Sequence, residues 1–575
     1  MNRTVRNFFS KRRLSRGGEI DPDHVLFDSS SSAQFDKMQM EGRLEKPISR
    51  LSLYSVFGIF SIMILVFLVQ AWNLQIVKGE EYKLRSENNV LRPVPVFAGR
   101  GVIYDRNDTL LAWNSPGAIE DENGDNKDDV AKREYATSTG LSHLMGYVQY
   151  PSKDNNGFYY QEDFEGVDGV EAYYDDMLQG TNGSRLIEVD ARGKIVSENI
   201  IRPPAQGEAL HLSIDLRVQS ALYKNIKDIA ESVGFTGGAG IIMDVHTGEL
   251  LAMTSYPEYS SQVMSDKKDK ELVRSMLNNP RLLFLDRSVD GLYTPGSIIK
   301  PFVALGVLNE GITDASTVFL TTGSISIPNP YDSTKSTVFK DWKNHGAMDL
   351  RHAIEMSSDA YFYIVGGGYK DQKGLGIQKI DEYLNKFGFG QKIGDSFASG
   401  KAGTIPTPVW KKETFNEDWY LGNTYHTAIG QYGFQVTPIQ AVRAIAAVAN
   451  YGKLLVPTVK EGDTTRVDAM ITDIPTKWFD IVHEGMRMSA LTGTSKALNV
   501  SYVEIAGKSG TAELGTAKDR VNSWITGYWP YENPKYAFTV MLENGSVHNL
   551  IGAAAAMRQT LDWMNINTPE YFKKE

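Results

Sequence analysis

The chain has 575 residues, more than one ordinary domain holds, and is 42% hydrophobic and 11% aromatic, enough for a substantial core. Its net charge of −10 argues against a nucleic-acid binder, which normally carries a basic patch. Without cysteine it has no disulfide framework, no thiol nucleophile and no thiolate metal site.

Residues 1–50 are polar, with a basic cluster (Arg3, Arg6, Lys11, Arg12, Arg13, Arg16) and a serine run from Ser29 to Ser32, and a disordered tail is expected. From Leu51 to Trp72 no residue is charged, and about 20 such residues cross a bilayer as a helix. The positive charge in front of this run sets the N-terminus in the cytoplasm, and Trp72 stands where an interfacial aromatic belongs. The run is long for a cleaved signal peptide, and no small-residue cleavage site follows it. A single-pass membrane anchor at 51–72 is expected, with everything after it extracytoplasmic.

Residues 73–205 read as short β pieces separated by turns. Arg100 to Ala112 suggests a hairpin with Asn107-Asp108 at its tip, and Asp121 to Asp129 an exposed acidic loop. A short helix is expected between Gly169 and Gly180, then a second hairpin around Ala191-Arg192-Gly193. Nothing here gathers a nucleophile, a base and oxyanion donors, so the segment reads as a spacer or docking module.

From Gln206 the pattern becomes a large α/β domain. Asp215 starts a helix (Val218, Leu222, Ile226, Ile229), and two strands follow, Ala239 to Val245 and Glu249 to Ser255, joined at His246-Thr247-Gly248. The middle, to about Gln435, reads as helical with long loops. Thr437-Pro438 caps another helix, with Gly452 just past its end. Three more strands (Val503 to Glu513, Ser523 to Trp529, Tyr536 to Glu543) and a helix from Ala553 to Met564 close the chain. The expectation is an α/β fold with a five-stranded, mainly antiparallel sheet flanked by helices.

Three motifs fall in this domain. Tyr293-Thr294-Pro295-Gly296-Ser297-Ile298-Ile299-Lys300-Pro301 reads as a turn feeding a helix, with Ser297 and Lys300 on one face. A serine hydroxyl is a poor nucleophile until a base takes its proton, and a lysine within reach can be that base. A helix N-terminus also aims backbone N–H groups at a developing oxyanion. Ser-x-x-Lys alone is weak, since Ser265-Asp266-Lys267-Lys268 also fits. The second motif is Ser357-Ser358-Asp359, in an apolar stretch. The third, Lys508-Ser509-Gly510-Thr511, lies on a predicted strand after Gly507, where glycine lets a ligand backbone approach the strand edge. Ser-x-x-Lys, Ser-x-Asp and Lys-Ser-Gly in that order, in one α/β domain, form the motif set of the penicillin-recognising serine enzymes.

The chain resembles the class B penicillin-binding proteins, which are peptidoglycan D,D-transpeptidases. The resemblance runs from the anchor to the C-terminus through RGVIYDR, GVEAYYD, VDARGKIV, GAGIIMDVHTGELLAMTSYP, YTPGSIIKP, AIGQYGFQVTPIQ and AGKSGTAE. Asp359, with Asp341-Trp342-Lys343-Asn344-His345-Gly346 upstream, makes it similar to the elongation enzymes of the penicillin-binding protein 2 type. It implies a transpeptidase (penicillin-binding) fold over 206–575, with a helical subdomain, and a β-rich pedestal over 73–205. The head between Leu111 and Leu141 is shorter than is usual in the family.

By that resemblance Ser297 attacks the penultimate D-Ala carbonyl of a stem peptide, with Lys300 as base. Ser357 relays a proton to the leaving amine beside a positively charged Lys508. The N–H groups of Ser297 and Thr511 form the oxyanion hole, and the Ser509 and Thr511 hydroxyls, beside Gly510, hold the substrate carboxylate or that of a β-lactam. Asp359 orients the second motif. Some relatives bind a metal through Asp, His and Cys; Asp341 and His345 are present but cysteine is not, so neither metal nor cofactor is expected. The implied partner is a multi-spanning peptidoglycan glycosyltransferase of the elongation machinery. A β-lactamase, a D,D-carboxypeptidase, and a β-lactam sensor or inactive scaffold that activates such a glycosyltransferase are the competing readings.

Overall fold

The computed structural model describes residues 50–80, 91–116, 130–153, 159–189, 195–329, 332–394 and 396–573. The N-terminal tail, the acidic segment Asp121 to Asp129 and the hairpin tip at Ala191-Arg192-Gly193 lie outside the described residues. The chain forms two compact units, residues 1–90 and 91–575.

In the first unit a helix runs Arg50–Trp72 and continues through a π-helical turn, Asn73–Val77. Leucine, isoleucine, valine and phenylalanine are exposed around its whole circumference. A helix with neither a polar stripe nor a buried face suits hydrocarbon, where every backbone group must be satisfied internally. Leu53–Val77 is long and apolar enough to cross a membrane.

The second unit begins with two small sheets. Ile103–Tyr104 pairs with Leu110–Ser115, whose other neighbour is Lys132–Tyr135. The first turn is made by Asp105, whose carboxylate accepts from the Asn107 and Thr109 N–H groups, with Asp108 in the left-handed region. Gly183–Val189 lies between Leu91–Val96 and Ile195–Arg202. The expected short helix is two single turns, Gly169–Tyr173 and Asp175–Leu178.

Behind these modules stands the five-stranded sheet: β1 (Gly237–Asp244), β2 (Leu250–Tyr256), β3 (Ala506–Leu514), β4 (Arg520–Trp529) and β5 (Tyr536–Ser546). Its order is β2-β1-β5-β4-β3, and every pairing is antiparallel. The turn between β1 and β2 forms because the Asp244 carboxylate accepts from the N–H groups of His246 and Thr247. Helices Leu216–Val233 and Ala553–Asn567 bury Leu222, Ile226, Met557 and Leu561 together with Ile242, Ile525 and Val540 of the sheet. The sheet's other side shares a core with helices Lys300–Asn309 and Pro438–Ala449, through Ile241, Trp524 and Met541. Thr437 and Gln440 close a reciprocal capping box at the start of the second of these helices.

The middle of the domain departs from the helical expectation. It also holds a hairpin, Ser324–Asn329 with Asp332–Lys340. Its strands are largely polar: Ile325 and Phe339 are buried and Ile327 packs against the core, and the apolar alternation is confined to Ile325 and Ile327. The decoy motif is structural: Ser265 is buried, and its hydroxyl accepts the Val148 N–H.

Candidate active site

The turn that carries Ser297 is built by close backbone approaches. Gly296–Ile299 is a single 3-10 turn that passes directly into the helix Lys300–Asn309, with Pro301 in its first turn. Three residues per 3-10 turn put Ser297 and Lys300 on one side, as the spacing required. Gly296 stands at φ +58°, and its N–H donates to the Gly430 carbonyl at 2.9 Å. A Cβ on Gly430 would come within 2.1 Å of the Gly296 oxygen, so any side chain there pushes the turn away. Ser297 is half-buried, and its hydroxyl makes no hydrogen bond among the described residues.

The same turn is seated on β3, the edge strand of the sheet. A Cβ on Gly510 would lie 2.8 Å from Ile298 Cγ2 and 2.9 Å from the Pro295 oxygen, and one on Gly296 would lie 2.8 Å from the Thr511 oxygen. Trp524 Nε1 of β4 ties down the Thr294 carbonyl at 3.0 Å. Gly510 therefore serves the protein's own packing. So does Gly507, where a Cβ would meet Leu498 Cδ1 at 2.8 Å; this corrects the expectation that glycine at the third motif opens the strand to a ligand backbone.

Ser357-Ser358-Asp359 forms a junction between two helices, and each residue has a local reason to be there. Ser357 stands past the end of helix Leu350–Glu355 at φ +55°, a conformation that costs a non-glycine residue about 1–3 kcal/mol. Two donors to its carbonyl offset that strain, Lys300 Nζ at 2.8 Å and Trp342 Nε1 at 3.3 Å. Ser358 caps the next helix, Asp359–Gly367, accepting the Tyr361 N–H. The Asp341 carboxylate then accepts from Ser358 Oγ at 2.7 Å and the Ala360 N–H at 2.9 Å. His345 Nε2 lies 3.4 Å from Asp341, and no third metal-binding side chain joins them among the described residues.

Around Ser357 the motifs meet. Lys300 Nζ donates to Asp359 Oδ1 at 2.6 Å and lies 3.4 Å from Ser357 Oγ. Lys508 Nζ reaches the same Ser357 hydroxyl from the opposite motif at 2.8 Å, and the Ser509 carbonyl at 2.9 Å. Both lysines are fully buried, whereas the Asp359 side chain keeps about a fifth of its surface. Burial raises the Asp359 carboxyl above its ordinary range, against the pull of Lys300. Burial, then the Lys300 charge, push the Lys508 ammonium well below its ordinary range. At 2.8 Å, Lys508 Nζ is within reach to exchange a proton with Ser357 Oγ.

The expected residues fall in one place: Ser297 and Lys300 on the helical turn, Ser357 and Asp359 at the junction, and Lys508, Ser509, Gly510 and Thr511 on β3. Ser509 Oγ donates to Thr494 Oγ1 at 2.8 Å, a contact for which the sequence carries no motif.

Residues 238–562, more than half of the chain, match the penicillin binding protein transpeptidase domain. The chain belongs to the penicillin-binding protein transpeptidase family. Residues 120–212 match the penicillin-binding protein dimerisation domain, which accounts for much of the β-rich segment ahead of it. Among similar penicillin-binding proteins is the peptidoglycan D,D-transpeptidase MrdA of Haemophilus influenzae, 29% identical over 95% of this chain and 96% of the relative. Two solved structures of the family are alike in fold. The Helicobacter pylori penicillin-binding protein PBP2, in complex with MreC, has a TM-score of 0.68 at 26% identity, covering 84% of this chain and 99% of that one. Pseudomonas aeruginosa PBP2 in complex with WCK 5153 has a TM-score of 0.66 at 27% identity, covering 84% and 98%.

Proposed function

We propose that this penicillin-binding protein is a membrane-anchored peptidoglycan D,D-transpeptidase of the elongation type, working through an acyl-enzyme on Ser297. The observation that carries the reading is the continuous polar chain Lys300–Ser357–Lys508 beside the nucleophile's turn, assembled from three distant segments. Family membership and the likeness to MrdA and PBP2 relatives support it.

In this reading the Lys300 amine, oriented by Asp359 Oδ1 at 2.6 Å, takes the Ser297 proton. Ser297 Oγ then bonds to the penultimate D-Ala carbonyl carbon, and the N–H groups of Ser297 and Thr511 hold the oxyanion. As the C–N bond breaks, Ser357 Oγ gives its proton to the departing D-Ala amine and is reprotonated through Lys508, 2.8 Å away. An amine from a second stem peptide attacks the ester, releases Ser297 and leaves a cross-link. The Ser509 and Thr511 hydroxyls take the terminal carboxylate, and β-lactams acylate the same serine. The helix Arg50–Trp72 anchors the enzyme, with the N-terminus in the cytoplasm and the catalytic domain outside. The H. pylori relative was solved with MreC, and a multi-spanning glycosyltransferase of the elongation machinery is the partner we assign.

The test supplies the purified full-length protein with glycan strands bearing pentapeptide stems. The expected products are free D-Ala and cross-linked stems, both absent with Ser297→Ala. Release of D-Ala without cross-links would make the enzyme a carboxypeptidase, and no release at all would favour a scaffold.

A further inference from the structure

The turn Thr492-Gly493-Thr494 follows the helix Thr476–Leu491 and joins the second motif to the third. Its backbone is fastened to Glu355, at the end of the helix that leads into Ser357. The Thr494 N–H donates to the Glu355 carbonyl at 3.2 Å, and Thr492 Oγ1 donates to the Glu355 carboxylate at 2.7 Å. A Cβ on Gly493 would lie 2.3 Å from that same carbonyl oxygen. These contacts hold the turn without the Thr494 hydroxyl, which makes two others. Thr494 Oγ1 accepts from Ser509 Oγ at 2.8 Å and donates to the Glu355 carbonyl over a longer 3.3 Å.

We propose that Thr494 is a positioning residue for carboxylate recognition, the inner member of a two-hydroxyl relay whose outer member is Ser509. The proposal rests on the acyl-transfer reading above. To bind a carboxylate Ser509 must donate a proton, and without ligand that proton is spent on Thr494. An anion is the stronger acceptor, so on its arrival the Ser509 proton turns outward. Thr494 then turns its own proton from the Glu355 carbonyl to Ser509 Oγ. The bond given up is the longest of the set, and the Glu355 carbonyl keeps the Thr494 N–H, so no buried acceptor is stranded. The resulting chain, Thr494 to Ser509 to carboxylate, is polarised along its length, and each bond strengthens the next. A hydrophobic residue of the same shape at 494 cannot complete it.

The test uses the full-length protein in detergent and two probes, a fluorescent penicillin and its carboxyl methyl ester. The second-order rate of Ser297 acylation is measured for each, and the ratio of the two rates is the readout. Thr494→Val is expected to lower the preference for the carboxylate on the order of tenfold while barely changing the ester rate, and Thr494→Ser to restore it. A Thr494→Val protein with the wild-type ratio, or slowed equally on both probes, would overturn the proposal and reduce Thr494 to a structural contact. A wild type that neither probe labels would instead overturn the acyl-transfer reading, and the proposal with it.

Discussion

Replacing Lys300 by arginine is expected to slow the acylation of Ser297 by penicillin roughly a thousandfold, the scale of losing a positioned general base. Arginine keeps the positive charge beside Asp359 and so avoids stranding a buried carboxylate, but a guanidinium does not give up its proton. Lys300→Ala would lose the base as well and would also leave the Asp359 carboxylate without its partner at 2.6 Å. Stopped-flow labelling with both variants separates the two effects. Acylation lost in both, with folding impaired only in Lys300→Ala, places the defect in proton transfer. Arginine supporting near-wild-type acylation would move the base to Lys508, acting through Ser357.

Glu171→Gln is expected to cost about 3–5 kcal/mol of stability, the range for breaking a buried ion pair by removing one partner. Glu171 has a fully buried side chain that accepts from Arg100 Nε at 2.5 Å and Arg133 Nε at 2.8 Å, and both arginines are fully buried too. Arg100 also reaches the Glu171 carbonyl and Asp175, both at 2.7 Å, and Arg133 Nη1 the Gly101 carbonyl at 2.9 Å. One carboxylate thus fastens the connection between strands Leu91–Val96 and Ile103–Tyr104, the strand Lys132–Tyr135 and the short helix Gly169–Tyr173. Burial alone would raise this carboxyl, but the two guanidinium groups outweigh it and hold it below its ordinary range. A carboxyl depressed in the folded state contributes stability that is full above its ordinary value and is lost as pH falls through the folded value. Urea unfolding of the wild type should therefore weaken on acidification through the ordinary carboxylate range and below. The Glu171→Gln protein should start lower and lose less. Equal stability of the two proteins at neutral pH would show that the cluster holds nothing together.

The three sequence motifs were legible because each is local. Ser297 and Lys300 are one turn apart, and a 3-10 turn preserves the shared face that an α-helix would give. The hairpin of β1 and β2 was equally readable, since its turn is decided by Asp244 and its strands are short, continuously buried apolar runs. What the residues do to one another across the fold was not. Lys300 and Asp359 are 59 positions apart, and nothing in a Ser-x-Asp triplet says that its carboxylate will face that lysine. The Arg100–Glu171–Arg133 cluster was hidden for the same reason: a charged residue in a polar stretch reads as solvated, and here three of them are buried. Asp341 carries no sequence signal for what it does here, which is to cap the junction that carries Ser357. Glycine at 507 reads as room for a ligand backbone, whereas Gly507 and Gly510 make room for Leu498 and for the turn that carries Ser297.

The central claim is that Ser297 is the nucleophile, and peptide mapping of the penicillin adduct tests it most directly. Full-length protein is incubated with a penicillin, its intact mass is measured beside that of Ser297→Ala, and the modified peptide is sequenced. The account predicts one adduct per chain, at the mass of the intact drug, on the peptide containing Ser297 and absent from the alanine variant. An adduct that persists in Ser297→Ala, or that maps to any other residue, would contradict it.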